Sequence, residues 1–357
     1  MSEKEIIAKS ISKKFPQKFF PKISYMEVLR DITFEIKKGQ KVALIGGNGS
    51  GKTTLLKTLA GIYFPDQGKL EIRGINPIDY PEKIAKITSL ISPSLDFQRK
   101  LTLRQTLKFF YNILYPHGDM DFALSILKEM HMLHMLDKRL EGFSEGQKAI
   151  TRIAIGLMKQ PEILFLDEVT TGLDINRKED LITFIHDNFK DNTIVMVDHD
   201  PVVVERICDS YILLSQGIIV KQGKAKDIPN ELAYKYEVRT LMKKRYSYDE
   251  IVMLFPDQAD DVLVDGHVVY FRAANEDELY SIIERLKLIT NDIVRYVVST
   301  VDLENIYLAL KPNAIKQIRN AETKKGLPNK TPTIEELQEI IKMFGIMILP
   351  EKRKNKK

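Results

Sequence analysis

One cysteine, Cys208, is all that this 357-residue chain contains. A single thiol excludes an internal disulfide framework and fits a reducing compartment. Nowhere do eighteen apolar residues follow one another, so no segment reads as crossing a bilayer. The opening Met1-Ser2-Glu3-Lys4-Glu5-Ile6-Ile7 has no apolar run of the length a signal peptide needs. A broad excess of one charge is also missing. The net charge is +5, but residues 313–357 hold eleven Lys/Arg against five Asp/Glu, which leaves the rest of the chain near neutral. A nucleic-acid surface spread over the whole molecule has little support from that distribution. With 44% hydrophobic and 29% charged residues, the chain is ordinary for a globular protein, and its length predicts two domains and a tail.

What is present begins with Gly46-Gly47-Asn48-Gly49-Ser50-Gly51-Lys52-Thr53, which fits G-x-x-x-x-G-K-[ST], the loop that cradles nucleotide phosphates. Lys41–Ile45 before it reads as a short buried strand, and Thr54–Ala60 after it opens a helix. Glycines let backbone N–H groups approach phosphate oxygens, and the helix N-terminus adds its positive dipole end. This predicts a phosphate-binding set running from Gly46 to Thr54. Lys52 reaches the terminal phosphates, and the Thr53 hydroxyl is placed for Mg²⁺.

Apolar strand runs alternate with helical patterns on either side, the sign of a layered α/β domain. Strands are predicted at Ile32–Ile36, Ile163–Leu166, Thr193–Val197 and Tyr211–Leu214. Between Thr102 and Leu140 the strands disappear. Thr102 and Asp121 look like helix N-caps there, and Leu107, Phe110, Ile113 and Leu114 recur at helical spacing. A helical insert over about 95–142 is therefore expected inside a nucleotide-binding domain of residues 1–230. Residues 231–312 read as a small second α/β domain. It holds two alternating runs joined by Asp265-Gly266, a helix over Glu276–Leu288, a strand near Ile293–Val298 and a helix through Leu303–Leu310. In the tail, Thr333-Ile334-Glu335-Glu336 has capping-box form and opens a helix striped by Leu337, Ile341 and Phe344.

Four further motifs follow the loop. Phe143-Ser144-Glu145-Gly146-Gln147 precedes a helix. Ile163–Leu166 ends in Asp167-Glu168, two acids at the carboxyl edge of a buried strand, where ligands of such sheets bind. Asp167 is placed for a Mg²⁺ shell, and Glu168 for polarising a water against the γ-phosphorus. Thr171-Gly172-Leu173-Asp174 and Val197-Asp198-His199-Asp200 complete the series. In this order and spacing the chain resembles the ATP-binding-cassette (ABC) ATPases over roughly residues 5–230.

The resemblance implies a mixed-sheet P-loop cassette with a helical subdomain, and two cassettes paired head to tail over two ATP molecules. Ser144, Gly146 and Gln147 of one cassette would close on the ATP held by the other. Asp174 would lie at the seam. His199 would contact the γ-phosphate beside Glu168, and Phe15 would stack on adenine. It further implies a homodimer or paired cassette powering a separate integral-membrane permease of export type from the inner face of the cell membrane, with no nucleic acid. Val301–Leu310 is similar to the closing segment of exporters that pair a cytoplasmic ATPase with a six-helix permease. The alternative is a soluble ABC ATPase acting on ribosome or nucleic acid. Against it stand the single phosphate loop and the absence of heptads between Lys52 and Ser144; the basic tail favours it slightly.

The chain departs from the family pattern at three points. Glu145 stands where the signature has Gly. Ile150 stands where Arg is common, with Arg152 two residues on. Ser92 stands where the family places the Gln that binds Mg²⁺, with Gln98 six residues later. Loops without that Gln occur in the branch that exports polysaccharides and lipid-linked polymers, and either Ser92 or Gln98 could serve in its place.

Overall fold

The computed structural model describes residues 4–19, 22–113, 118–228, 232, 234–257, 262–300 and 303. The chain divides into two compact units, Met1–Asp227 and Ile228–Lys357.

The first unit is built on a six-stranded sheet. Its order is β5 (Thr88–Ile91), β6 (Ile163–Asp167), β7 (Thr193–Val197), β3 (Lys41–Ile45), β8 (Ser210–Ser215) and β9 (Ile218–Lys224). The first five run parallel and β9 returns antiparallel. Parallel strands covered on both faces need apolar residues at nearly every position, and β6 and β7 are buried along their whole length. These strands are the uninterrupted apolar runs of the sequence. α1 (Lys52–Leu59), α6 (Ile175–Asn188) and α7 (Pro201–Ile207) follow β3, β6 and β7, so each parallel strand delivers its last residues to the carboxyl edge and then turns into a helix.

A second, three-stranded antiparallel sheet has the order β2 (Lys22–Lys37), β1 (Lys4–Phe19), β4 (Gln67–Ile72). Its apolar face, with Ile6, Ala8, Ile11, Ile32, Phe34 and Ile36, shares one core with Leu55 and Leu56 of α1 and with Phe165 and Val195 of the parallel sheet. The Arg73 guanidinium bridges the two layers. It reaches Glu5 of β1, which is 1% exposed, at 2.7 Å and Glu162, just before β6, at 2.7 Å.

Between β5 and β6 lies the helical insert: α3 (Leu103–Ile113), α4 (Met120–Glu129) and α5 (Glu145–Leu157), with α2 (Pro81–Ile87) preceding β5. Thr102 caps α3 as its sequence position predicts, its Oγ1 accepting from Gln105 N at 3.2 Å. For α4 the cap is Asp119 rather than Asp121. The helix starts at Met120, Asp119 accepts from Phe122 N at 2.8 Å, and Asp121 falls inside the first turn. Ala149, Ile150, Ile153, Ala154 and Leu157 form the buried stripe of α5. Ile150 is therefore a core residue, and no cation stands at its position.

In the second unit, β11 (Val262–Asp265), β12 (Val268–Ala273), β10 (Tyr236–Met242) and β13 (Ile293–Thr300) form an antiparallel sheet in that order. Gly266, at φ 59°, supplies the left-handed turn between β11 and β12. α8 (Tyr248–Leu254) and α9 (Glu276–Leu288) cover one face, with Ile251, Phe255, Ile282 and Leu286 packed on Val238, Val269 and Phe271. The helices expected at 303–310 and 333–344 lie outside the described residues, Leu303 excepted, as does Leu114.

Candidate functional site

The loop after β3 is shaped by backbone that only glycine tolerates. Gly46 has φ 143°, and a Cβ there would sit 2.2 Å from the Leu214 carbonyl oxygen. Gly49 and Gly51 are also left-handed, at φ 72° and 103°. Gly51 caps α1, and Leu55 N donates back to its carbonyl at 2.8 Å. Lys52 is 7% exposed, and its Nζ donates to the carbonyls of Gly46 at 2.8 Å and Gly47 at 3.2 Å. The ammonium therefore lies inside the curve of its own loop. Ser50 Oγ is buried and makes no hydrogen bond among the described residues. Asn48 and Gly49 are exposed at the crest; Thr53 and Thr54 are half-buried on the first turn of α1.

Three elements converge beside this loop. Asp167, the last residue of β6, is 4% exposed and held by two hydroxyls. Thr53 Oγ1 donates to its Oδ1 at 3.3 Å and Ser92 Oγ to its Oδ2 at 3.1 Å. Burial raises the Asp167 pKa from the ordinary carboxylate range, while the two hydroxyls oppose that shift. The next residue, Glu168, has φ 51°, a conformation that side chains rarely adopt and that clusters at functional sites. The kink is fixed by Glu168 N donating to Val197 O at 2.9 Å, and it turns the carboxylate toward His199, whose Nε2 lies 3.0 Å from Glu168 Oε1. His199 follows β7 and is oriented by its neighbours. The Asp198 carboxylate, raised in pKa by burial, accepts from Thr170 Oγ1 at 2.6 Å and from Asp200 N at 2.9 Å. The structure thus joins the loop, both acids and the histidine at one sheet edge.

Residues 29–171 match the family model described as ABC transporter. A putative ABC transporter ATP-binding protein of Streptococcus mutans is 34% identical over 232 residues, covering 59% of this chain and 86% of that protein. The chain belongs to the ABC transporter ATP-binding family. ABC transporter A family member 8 of Dictyostelium discoideum is 29% identical over 248 residues, and the chain spans 30% of its length. Among solved structures, a dimeric bacterial ABC transporter cassette aligns with 62% of this chain and 98% of its own, at 25% identity and a TM-score of 0.54. Cassettes of this family are ATPases, and the first unit is such an ATP-binding cassette.

The remaining predicted residues of the cassette lie at the starts of α5 and α6 and on β1. Ser144 and Gln147 form the capping box of α5: Ser144 Oγ accepts from Gln147 N at 3.3 Å, and Ser144 N donates to Gln147 Oε1 at 3.0 Å. Ser144 is exposed. Glu145 turns onto Lys148, 2.7 Å away, and that hydrogen bond holds its carboxyl below the usual range. Its charge is therefore answered within the helix. Gly146 packs on the next loop so closely that a Cβ would lie 2.4 Å from the Gly172 carbonyl oxygen. Gly146→Ala is expected to destabilise the cassette by about 1–3 kcal/mol through overpacking. Chemical denaturation checks this, and parental stability would show that the 171–174 loop yields. Asp174 caps α6, accepting from Arg177 N at 3.0 Å, and is itself exposed beside Ile175, which is 80% exposed. The half-buried Phe15 ring meets Tyr63 edge-on at 5.2 Å, with Lys13 Nζ 5.4 Å from its centroid. The contacts of Ser92 and Arg152 have no local sequence signal, because their partners lie 75 and 57 residues away.

Proposed function

We propose that this cassette hydrolyses ATP to drive an export-type transporter, as one of two copies closing over a pair of ATP molecules and coupled to a separate permease. The observation that carries the reading is the Glu168–His199 pair at 3.0 Å beside Asp167 and the phosphate loop. The residues also fit what the substrate brings. A buried, unsatisfied Ser50 hydroxyl, a lysine inside the loop and a glycine cradle together suit an anion. Among the described residues no group of three or more His, Cys, Asp or Glu could hold a metal. Thr53 and Asp167 would therefore hold Mg²⁺ jointly with the phosphates, the mode this ion favours. When bound, Mg²⁺ offsets phosphate charge.

The chain's own groups do the rest. The loop amides and Lys52 fix the phosphates. Glu168 accepts the proton of the attacking water, and His199 orients that carboxylate and reaches toward the γ-phosphate. Ser144, Gly146 and Gln147 of one copy, with Asp174 at the seam, complete the site of the other; Phe15 stacks on the base. Loss of the γ-phosphate removes contacts that bridge the copies, so the dimer opens.

Docking of the permease is assigned to the helical insert with the loop near Ser92–Lys100, where Phe109 and Ile113 of α3 are 49% and 60% exposed. No helix among the described residues is long and apolar enough to cross a membrane; in this reading the permease supplies the path, and the cassette works on the inner face of the membrane. Export is the direction implied by Ser92 and by 301–310. Residues 231–312 are read as an accessory domain and 313–357 as a basic tail. Phosphate release from ATP by the purified protein tests the reading; a protein that neither binds nor cleaves ATP would overturn it. Removing 313–357 is expected to leave turnover largely intact, and a large loss would place the tail in the catalytic dimer.

A further inference from the structure

The segment leaving β5 is pinned at two places. At its start Ser92 Oγ donates to Asp167 Oδ2 at 3.1 Å. Ser92 has one hydroxyl proton, and Asp167 takes it. The Ser94 contacts therefore run inward, with Ser94 N at 3.3 Å and the Ser94 hydroxyl at 3.0 Å both donating to Ser92 Oγ. Farther along, Arg152 Nε donates to the Leu95 carbonyl at 2.9 Å, and its guanidinium carbon lies 5.4 Å from the centroid of the Phe97 ring. Phe97 in turn meets Phe110 of α3 edge-on at 6.5 Å. Ser92, Asp167 and Glu168 share an open cavity with Arg152 and Glu145 of α5. One strap, residues 92–97, thus connects the metal-site acid to the helix that Ser144 opens.

We propose that Ser92 is the positioning residue for Asp167, that Arg152 holds it there, and that the two together replace the glutamine missing from this loop. The inference rests on the reading of Asp167 as the metal carboxylate given above. A glutamine reaches its target through three rotatable bonds, whereas a serine hydroxyl reaches only where its backbone delivers it. The backbone must therefore be anchored, and the Arg152 contacts to Leu95 and Phe97 provide the anchor from a buried helix. With Thr53 on one oxygen and Ser92 on the other, the Asp167 carboxylate has a fixed plane, as outer partners of metal ligands impose. Gln98 is exposed and donates nothing to this carboxylate among the described contacts.

The experiment uses the full chain with a slowly hydrolysed ATP analogue. It follows Mn²⁺ affinity by the electron paramagnetic resonance of free Mn²⁺, with nucleotide affinity in EDTA and steady-state turnover measured alongside. Ser92→Ala is expected to weaken Mn²⁺ binding and lower kcat by about tenfold each, with nucleotide affinity in EDTA unchanged. Arg152→Ala should reproduce that loss, with Arg152→Lys, which keeps charge but not Nε, as the backup variant. Because Arg152 acts through Ser92, the double variant should be no worse than Ser92→Ala alone. Ser92→Thr should restore both readouts, and Gln98→Ala should match the parent. Parental Mn²⁺ affinity in Ser92→Ala, additive losses in the double variant, or a loss in Gln98→Ala would each overturn the proposal. A parent protein without ATP binding or turnover would instead overturn the functional reading beneath it.

Discussion

Lys52→Ala is expected to abolish nucleotide binding, raising the dissociation constant by about 100-fold or more, since charge-assisted hydrogen bonds contribute about 1.5–3 kcal/mol each. The geometry explains why no neighbour substitutes. Lys52 is 7% exposed, and its ammonium is held by the Gly46 and Gly47 carbonyls at the centre of the loop. Truncation removes that cation and also leaves two loop carbonyls without this donor, so a drop in thermal stability should accompany the loss of binding. Titration with a fluorescent ATP analogue checks the first effect and a thermal melt the second. Near-parental affinity would show that the backbone amides and the helix dipole of α1 suffice, and would remove Lys52 from the site.

Glu168→Gln has the second large effect. Nucleotide binding should persist while turnover falls by about 10²–10⁴-fold, the range lost with a general base. The amide keeps the shape of the carboxylate but accepts no proton. The backbone around it need not change, since the kink at φ 51° is fixed by the Glu168 N to Val197 O bond and not by the side chain. The variant thus separates chemistry from architecture. Turnover near the parental rate would show that His199 or another group, rather than Glu168, activates the water.

Much of the cassette is legible in sequence because its physics is local. The strands β3, β6, β7 and β8 are short apolar runs that must be buried on both faces, and the phosphate loop announces itself by the glycines its backbone requires. In the second unit, the Asp-Gly turn between β11 and β12 is likewise written within two residues. The β1–β2 pairing was less legible. Its register shifts repeatedly between Lys4 and Lys14, which breaks the strict alternation that marks a strand. The cap of α4 is Asp119, two residues before the expected Asp121; the two are equally good caps until the helix start is fixed. At the site, the acids and His199 could be read by order along the chain. The Ser92–Asp167 and Arg152–Leu95 contacts could not, because each joins residues that only the folded sheet and α5 bring together.

In the proposed assembly, two copies enclose ATP between phosphate loop and signature helix. The exposed Ser144 and Asp174 fit a face that another cassette covers. The most direct measurement is the solution mass of Glu168→Gln by light scattering, with and without Mg²⁺ and ATP. A monomer is expected without nucleotide and twice that mass with it, reverting when Ser144 is replaced by Arg. An unchanged monomer at saturating ATP would contradict it.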